Sequence, residues 1–208
     1  MLAWSETLLE EAGSQGTVMN EAERSDSYLT DEERGRLVYL LQQTCDDVLT
    51  AVQPVNAAQW GFRPGAGRWS IGLIAEHLGV VERRLFRQVE RALDAKPNRS
   101  WLLETGEKDE LIVRLLADRS DKRDAPPAVV PTGSVDKETA LRVFRERRVQ
   151  SIAFAETTTD PLKTHTLDHH RTDVGTLNAY QWMLYIPLHT RRHLKQIAEI
   201  RTTSGYPD

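Results

Sequence analysis

The stretch that decides the fold is LNAYQWMLYIPLHTRRHLKQIAEI, which runs from Leu177 to Ile200. Side chains recur here every three or four residues, so an α-helix would align them in one inward-facing row: Trp182, Ile186, His189, His193, Gln196 or Ile197, and Ile200. Because side chains four residues apart stack on a helix, the imidazoles of His189 and His193 can share one metal ion. Histidine pairs at this spacing also arise by chance, so a metal site needs a further ligand from elsewhere in the chain.

Composition limits the classes of function. The 208 residues include 39% hydrophobic and 28% charged residues, which is enough apolar material for a globular core. The net charge is −4 and both signs are intermixed, which argues against a nucleic-acid binder that relies on a basic face. We therefore expect a small-molecule substrate that is held in a pocket.

Cysteine usage and the N-terminus bear on location. The single cysteine, Cys45, excludes an internal disulfide and a cysteine-rich zinc site. Glu6, Glu10 and Glu11 stand where a signal peptide needs basic residues, and no stretch approaches about 18 apolar residues. The sequence predicts a cytoplasmic protein that does not enter a membrane.

Cap and breaker residues divide the chain into an N-terminal arm, residues 1–29, and one domain, residues 30–208. Thr30 and Glu33 form a capping box, and Ser70 can cap a second helix. The predicted helices lie at about 30–53, 70–93, 108–117, 137–156 and 176–200. Four long helices, a short extra helix in the second connection and no strand indicate an all-α four-helix bundle. The link of roughly forty residues lets the second and third long helices run parallel.

A third histidine can complete the metal site. His77 lies beside the apolar stripe of the second helix, so with His189 and His193 it would supply three ligands and leave one coordination position open. Such a set suits Zn, Ni, Co, Cu or Fe(II). The alternative is three solvated or hydrogen-bonded core histidines. Candidate partners for the second ring nitrogens are Glu76, Gln196 and backbone carbonyls, although Glu76 is more simply interpreted as a solvated charge.

Two other pairs of residues have plainer interpretations. His169 and His170 could add a ligand or a base, but a polar surface loop is the expected setting. Arg191 and Arg192 could hold an anionic substrate group, but structural salt bridges are expected.

Aromatic residues and one proline give further expectations. Trp60, Phe62 and Trp69 should pack across one end of the bundle, because three large rings are rarely left in water. Pro187 removes a hydrogen bond to the carbonyl of Met183, so we expect a kink or a π-type bulge within one turn of the first ligand of the last helix. The alternative is a helix that begins only after the proline.

Two stretches resemble the DinB superfamily of bacterial four-helix proteins, in particular its DinB-like second branch. They are GRWSIGLIAEHLGVVERRL at 67–85 and GTLNAYQWMLYIPLHTRRHLKQI at 175–197. The matching positions are Trp69, Ser70, His77, Leu78, Trp182, His189, Arg192, His193, Gln196 and Ile197. The resemblance extends over about residues 30–203. Relatives often have His-Pro before Gly175, where this chain has His169, His170 and Arg171.

The resemblance implies an up-down-down-up bundle, a metal triad of His77, His189 and His193, and often a homodimer. It also implies a metal-dependent enzyme that activates a thiol or water, similar to thiol transferases that use bacillithiol, mycothiol or glutathione. The expected cofactors are a divalent transition metal, with Zn or Ni first, and a low-molecular-weight thiol. One alternative is a metal-dependent hydrolase of amide or ester bonds. Another is a non-catalytic bundle that binds a metal or a partner in a stress response.

Overall fold

The computed structural model describes residues 26–120 and 125–208, most of which are helical. The helices are α1 (Asp31–Val52), α2 (Ala57–Gly61), α3 (Ile71–Asp94), α4 (Trp101–Thr105), α5 (Lys108–Ala117), a 3₁₀ turn (Pro127–Val129), α6 (Lys137–Thr157) and α7 (Ala179–Arg201). Two short strands, β1 (Thr166–Asp168) and β2 (Thr176–Asn178), precede α7. The long helices α1, α3, α6 and α7 form the predicted four-helix bundle, and α5 is the predicted extra helix.

Side-chain caps begin each long helix. In each case the cap oxygen accepts a hydrogen bond from the backbone N–H three residues on, which satisfies a donor that the first turn leaves unpaired. The caps are Thr30 for α1, Ser70 for α3, Asp136 for α6 and Asn178 for α7. The starts of α1, α3 and α6 therefore follow from local sequence.

Contacts between helices fix their directions. Arg34, in the first turn of α1, donates to the carbonyl of Thr158 just after α6, so α1 and α6 are antiparallel. Arg201, at the end of α7, donates to a carbonyl in the last turn of α1, so these two helices are parallel. His77, in the first half of α3, lies beside His193 in the second half of α7, so α3 and α7 are antiparallel. The order along the chain is up-down-down-up.

A buried polar layer lies between two apolar clusters of the core. Arg148 of α6 is fully buried and forms an ion pair with Glu82 of α3, with 2.7 Å between Nε and Oε1. The same guanidinium donates to Thr44 of α1 and Thr190 of α7, so the layer joins all four long helices. Arg148 is thus a charged residue of α6 that points into the core, whereas Arg142, Arg145 and Glu146 of the same helix are exposed.

A β-hairpin corrects the expectation that the domain has no strand. β1 and β2 pair antiparallel, and Leu167 lies opposite Leu177. Strands of three residues are too short to show an alternating pattern, so the sequence gives no signal for them. Because Thr176 belongs to β2, α7 begins at Ala179 and not at Thr176 as predicted.

The last helix passes through Pro187 without a break. Residues 179–201 form one α-helix, so the predicted π-type bulge and the alternative of a late helix start are both wrong. The kink stays a prediction. The Thr190 hydroxyl bonds the carbonyl of Ile186 at 3.1 Å, one residue before the proline.

The end of the predicted arm contacts the bundle. Ser27 is buried, its carbonyl accepts a hydrogen bond from the N–H of Lys163 at 3.1 Å, and Leu29 packs against a core cluster. The rest of the predicted arm, residues 1–25, lies outside the described residues. None of the described helices combines the length and the hydropathy that a membrane span requires.

Candidate metal centre

Three histidines from two helices meet between α3 and α7. His77 of α3 faces His189 and His193 of α7, with ring centroids 5.4 and 4.8 Å away, and the two α7 rings are 4.5 Å apart. One nitrogen from each ring lies within 4.8 Å of the others, which forms a group able to hold a metal ion. The helical spacing of four residues and the antiparallel packing of α3 on α7 together produce this arrangement.

Hydrogen bonds orient two of the three rings. His77 Nδ1 lies 2.7 Å from the carbonyl oxygen of Val129, and His193 Nδ1 lies 3.0 Å from Oε1 of Gln196. When each Nδ1–H donates to its oxygen, the Nε2 lone pair is left to face the centre. Of the three predicted candidates, Gln196 and a backbone carbonyl are therefore the groups that hold the second ring nitrogens of His193 and His77.

Glu76 forms hydrogen bonds with the connection that follows α5. The interpretation of Glu76 as a solvated charge is therefore wrong. Its side chain is buried, and its carboxylate accepts hydrogen bonds from the N–H and hydroxyl of Thr132, both at 2.8 Å, and from the N–H of Gly133 at 2.9 Å. Burial alone would raise the pKa of this carboxyl, but these hydrogen bonds lower it. Glu76 thus fixes the segment that contains Val129.

Burial keeps the three imidazoles neutral. Desolvation, followed by the neighbouring His77, lowers the pKa of His193 to about 3. Desolvation also lowers the pKa of His77 against the opposing effect of the Val129 carbonyl. The pKa of His189 falls well below its ordinary value, first through burial and then through His193. The rings therefore carry no proton that a metal would have to displace near neutral pH.

The donor set fits a divalent transition metal. The Nε2 atoms of His189 and His193 lie 3.2 Å apart. Two nitrogens at about 2.0–2.1 Å from one tetrahedral zinc would be separated by roughly 3.3 Å. Three neutral nitrogens also leave the full charge of a bound ion uncompensated and one coordination position open.

Trp69 covers the histidines. Its ring is nearly parallel to that of His193, with centroids 6.1 Å apart, and lies 4.7 Å from that of His77. Trp60, Phe62 and Trp69 all pack, partly buried, against one of the two apolar clusters of the core. The predicted packing of these rings is confirmed, and Trp69 also lies against the three-histidine cluster.

The histidines of the hairpin stay outside the metal cluster. His169 is buried against Trp182, with stacked rings 5.1 Å apart, so the expected surface position is wrong for this residue and right for the exposed His170. Burial, then His170, lowers the pKa of His169 to about 4. Among the described residues, only His77, His189 and His193 form a group of three or more potential metal ligands.

The two adjacent arginines of α7 hold neighbouring elements. Arg191 donates to the side chain of Gln43 in α1 at 2.9 Å. Arg192 donates to the carbonyl of Asp118, just after α5. Both contacts join structural elements, as expected, but their acceptors are a side-chain amide and a backbone carbonyl and not the carboxylates of the predicted salt bridges.

Sequence reasoning missed Val129, Glu82 and Arg148. Every residue has a backbone carbonyl, so the residue type at position 129 does not indicate that its carbonyl bonds His77. The charged pair had a weak signal, because Arg148 lies four residues after Phe144 on the face expected to point inward.

The fold and site define a class of four-helix proteins with a three-histidine cluster between the second and fourth long helices. The family model of the DinB superfamily, DinB_2, matches residues 40–197, and the chain belongs to this superfamily. The Bacillus subtilis (strain 168) protein YuaE is 27% identical over 145 residues, which cover 67% of this chain and 81% of YuaE. It is described as uncharacterized.

A solved structure supports the fold. Bacillus subtilis YfiT superposes with a TM-score of 0.60 over 86% of this chain and 91% of YfiT, at 14% identity. YfiT is described as a probable metal-dependent hydrolase with an unusual four-helix bundle topology.

Proposed function

We propose that this protein is a metalloenzyme in which His77, His189 and His193 bind a divalent transition metal, Zn or Ni first. The observation that carries the proposal is the convergence of three neutral imidazole nitrogens within 4.8 Å. A bound divalent ion would supply Lewis acidity that lowers the pKa of a water or thiol at the open position.

The side chains of the protein have distinct roles in this proposal. The Val129 carbonyl and Gln196 hold two ligand rings in the orientation that presents Nε2 to the centre. Trp69 excludes water from one side of the histidines, which strengthens electrostatic interactions there. Glu76 positions the Val129 carbonyl through Thr132 and Gly133.

Hydrolysis is the first form of the reaction that we propose. Support comes from the description of YfiT, whose fold this chain shares. In hydrolysis the oxygen of water bonds to the acyl carbon, the amide or ester bond breaks, and the leaving group takes up a proton. The substrate is a small molecule.

Thiol transfer is the second form, and it is supported by the resemblance of the motifs around the three histidines to the DinB superfamily, some of whose members resemble thiol transferases. Here the sulfur of a low-molecular-weight thiol bonds to an electrophilic carbon, the leaving group departs with the electron pair, and the thiol proton is released. The two forms use the same metal centre and differ in the nucleophile.

Metal analysis tests the proposal. The purified protein should contain about one transition metal per chain, and the double variant His189→Ala, His193→Ala should lose it while keeping its helical circular dichroism spectrum. A wild-type protein that takes up neither Zn nor Ni after dialysis against either metal would contradict the proposal, and it would favour a non-catalytic bundle.

Cobalt substitution separates the two forms. Titrating the Co-loaded protein with a low-molecular-weight thiol should produce a sulfur-to-cobalt charge-transfer band only if the thiol binds the metal. Hydrolysis predicts cleavage of aryl esters in the absence of any thiol, and that cleavage should disappear in the double variant.

A further inference from the structure

A groove on α3 begins one turn from the metal centre. It is an open surface depression with a volume of about 480 Å³, and its lining includes Val80, Ala128, Arg83, Arg84, Arg87 and Arg91. The three histidines do not line it. However, Val80 lies three residues after His77, and Ala128 precedes Val129, whose carbonyl bonds the His77 ring. The groove, which we call the arginine groove, therefore adjoins the metal centre along α3.

Arg84 lies on the same side of α3 as His77. Seven residues make nearly two helical turns, so Arg84 is about 20° from His77 around the helix axis and about 10 Å along it. The hairpin packs against α3 as well. Partial burial, followed by the charge of Arg84, lowers the pKa of His170 in the turn of this hairpin.

The arginine groove concentrates positive charge in a chain whose net charge is −4. No acidic side chain lines it. Within residues 26–120 and 125–208, no ion pair involves Arg83, Arg84 or Arg87. Like charges three or four residues apart destabilise a helix, so helix stability does not account for these arginines.

The end of the groove nearest to His77 is apolar. Val80 is 40% exposed there, so its side chain is accessible to a ligand. A ligand in the groove would thus meet an apolar wall near the metal centre and guanidinium groups farther along α3.

We infer that the arginine groove binds the anionic group, a carboxylate or a phosphate, of the substrate whose reactive bond lies at the three-histidine centre. The placement of the reactive bond at the three histidines rests on the proposed function, whereas anion binding in the groove does not. A guanidinium donates two parallel N–H bonds to the oxygens of such a group. The substrate is then elongated, because His77 and Arg84 are about 10 Å apart along the axis of α3.

Anion titrations followed by heteronuclear NMR test the inference. The full chain and its His189→Ala, His193→Ala variant are each titrated at low salt with inorganic phosphate and with glutarate. We expect at least one probe to bind both proteins with shifts centred on residues 80–91. Arg84→Ala, Arg87→Ala should weaken that binding at least tenfold, because two charged contacts are lost.

The matched control is Arg142→Ala, Arg145→Ala, which removes two exposed arginines from α6 outside the groove. It should change the affinity by no more than twofold. Shifts that scatter over all exposed arginines, or equal losses in both double variants, would overturn the inference. The same holds if neither probe binds at 50 mM salt.

The reaction itself gives a second readout that separates the two proposals. An aryl ester with a terminal carboxylate should be cleaved at least tenfold more efficiently than its methyl ester, and Arg84→Ala should abolish this preference while sparing the methyl ester. Equal cleavage of both esters by the wild type would overturn the groove assignment and leave the metalloenzyme intact. Anion binding that depends on the groove arginines, in a protein that takes up no metal, would support the groove assignment and overturn the metalloenzyme.

Discussion

Breaking the buried polar layer should have a large and specific effect on stability. Arg148→Met removes the guanidinium and leaves the carboxylate of Glu82, which is 3% exposed, with the Ser151 hydroxyl at 3.0 Å as its remaining side-chain donor. A buried charge that loses its partner costs about 3–5 kcal/mol. We expect Arg148→Met to lower the free energy of unfolding by that amount, which is a large part of the stability of an ordinary domain.

A second substitution tests the physical reason. Replacing both charges, in Arg148→Met, Glu82→Leu, removes the uncompensated carboxylate, so the double variant should lie within about 1–2 kcal/mol of the wild type. The coupling between the two sites should then exceed about 1 kcal/mol, as for contacting residues in one network. The control Arg142→Met changes an exposed pair on the same helix and should cost less than about 1 kcal/mol.

Urea denaturation of the metal-free proteins, with circular dichroism at pH 7, measures these free energies. Equal midpoints for Arg148→Met and Arg142→Met would refute the view that the layer is a paired buried charge. The view would also be refuted if the double variant lost as much free energy of unfolding as the two single variants lose together, because the loss would then come from packing.

Two further predictions concern single residues near the site. Gln196→Leu removes the acceptor for His193 Nδ1 and should weaken zinc binding by about 10–100-fold in competition with a chromogenic chelator, whereas Gln150→Leu on the exposed face of α6 should not change it. His169 has a folded pKa of about 4 and an unfolded pKa of about 6.5, so the unfolded chain binds its proton first and stability falls as pH decreases from 6.5 to 4. His169→Gln should reduce this acid-induced loss by about 1–2 kcal/mol in urea titrations of the metal-free protein, and an unchanged pH dependence would contradict the buried, neutral ring.

Several parts of the fold could be predicted from sequence because their causes are local. Thr30 and Ser70 begin helices by bonding backbone N–H groups three residues away, so the signal and its effect lie in one short stretch. The row from Trp182 to Ile200 predicted a core helix for the same reason, and its histidines do converge with His77. The connection between α3 and α6 is long enough to allow the parallel arrangement that the structure has, although its length alone does not require it.

The parts that failed depend on neighbours that are distant in sequence. Glu76 looks like a solvated charge on its own helix, and only the return of residues 132–133 against α3 buries it. His169 follows a strand too short to show a pattern, and its burial depends on the Trp182 ring. Arg148 breaks the apolar pattern of α6 because its partners lie on three other helices.

The sequence by itself determined the number of long helices, the direction in which the last one turns its histidines, and the residue types that can bind a metal, because helical periodicity and caps act within a few residues. Only the tertiary structure decided which atoms hold the rings and which charges are paired. The Val129 carbonyl reaches His77 across 52 positions of the chain, and Arg148 reaches Glu82 across 66. Such contacts form because helix packing removes these groups from water, and a buried polar group must then find whatever partner the fold places beside it.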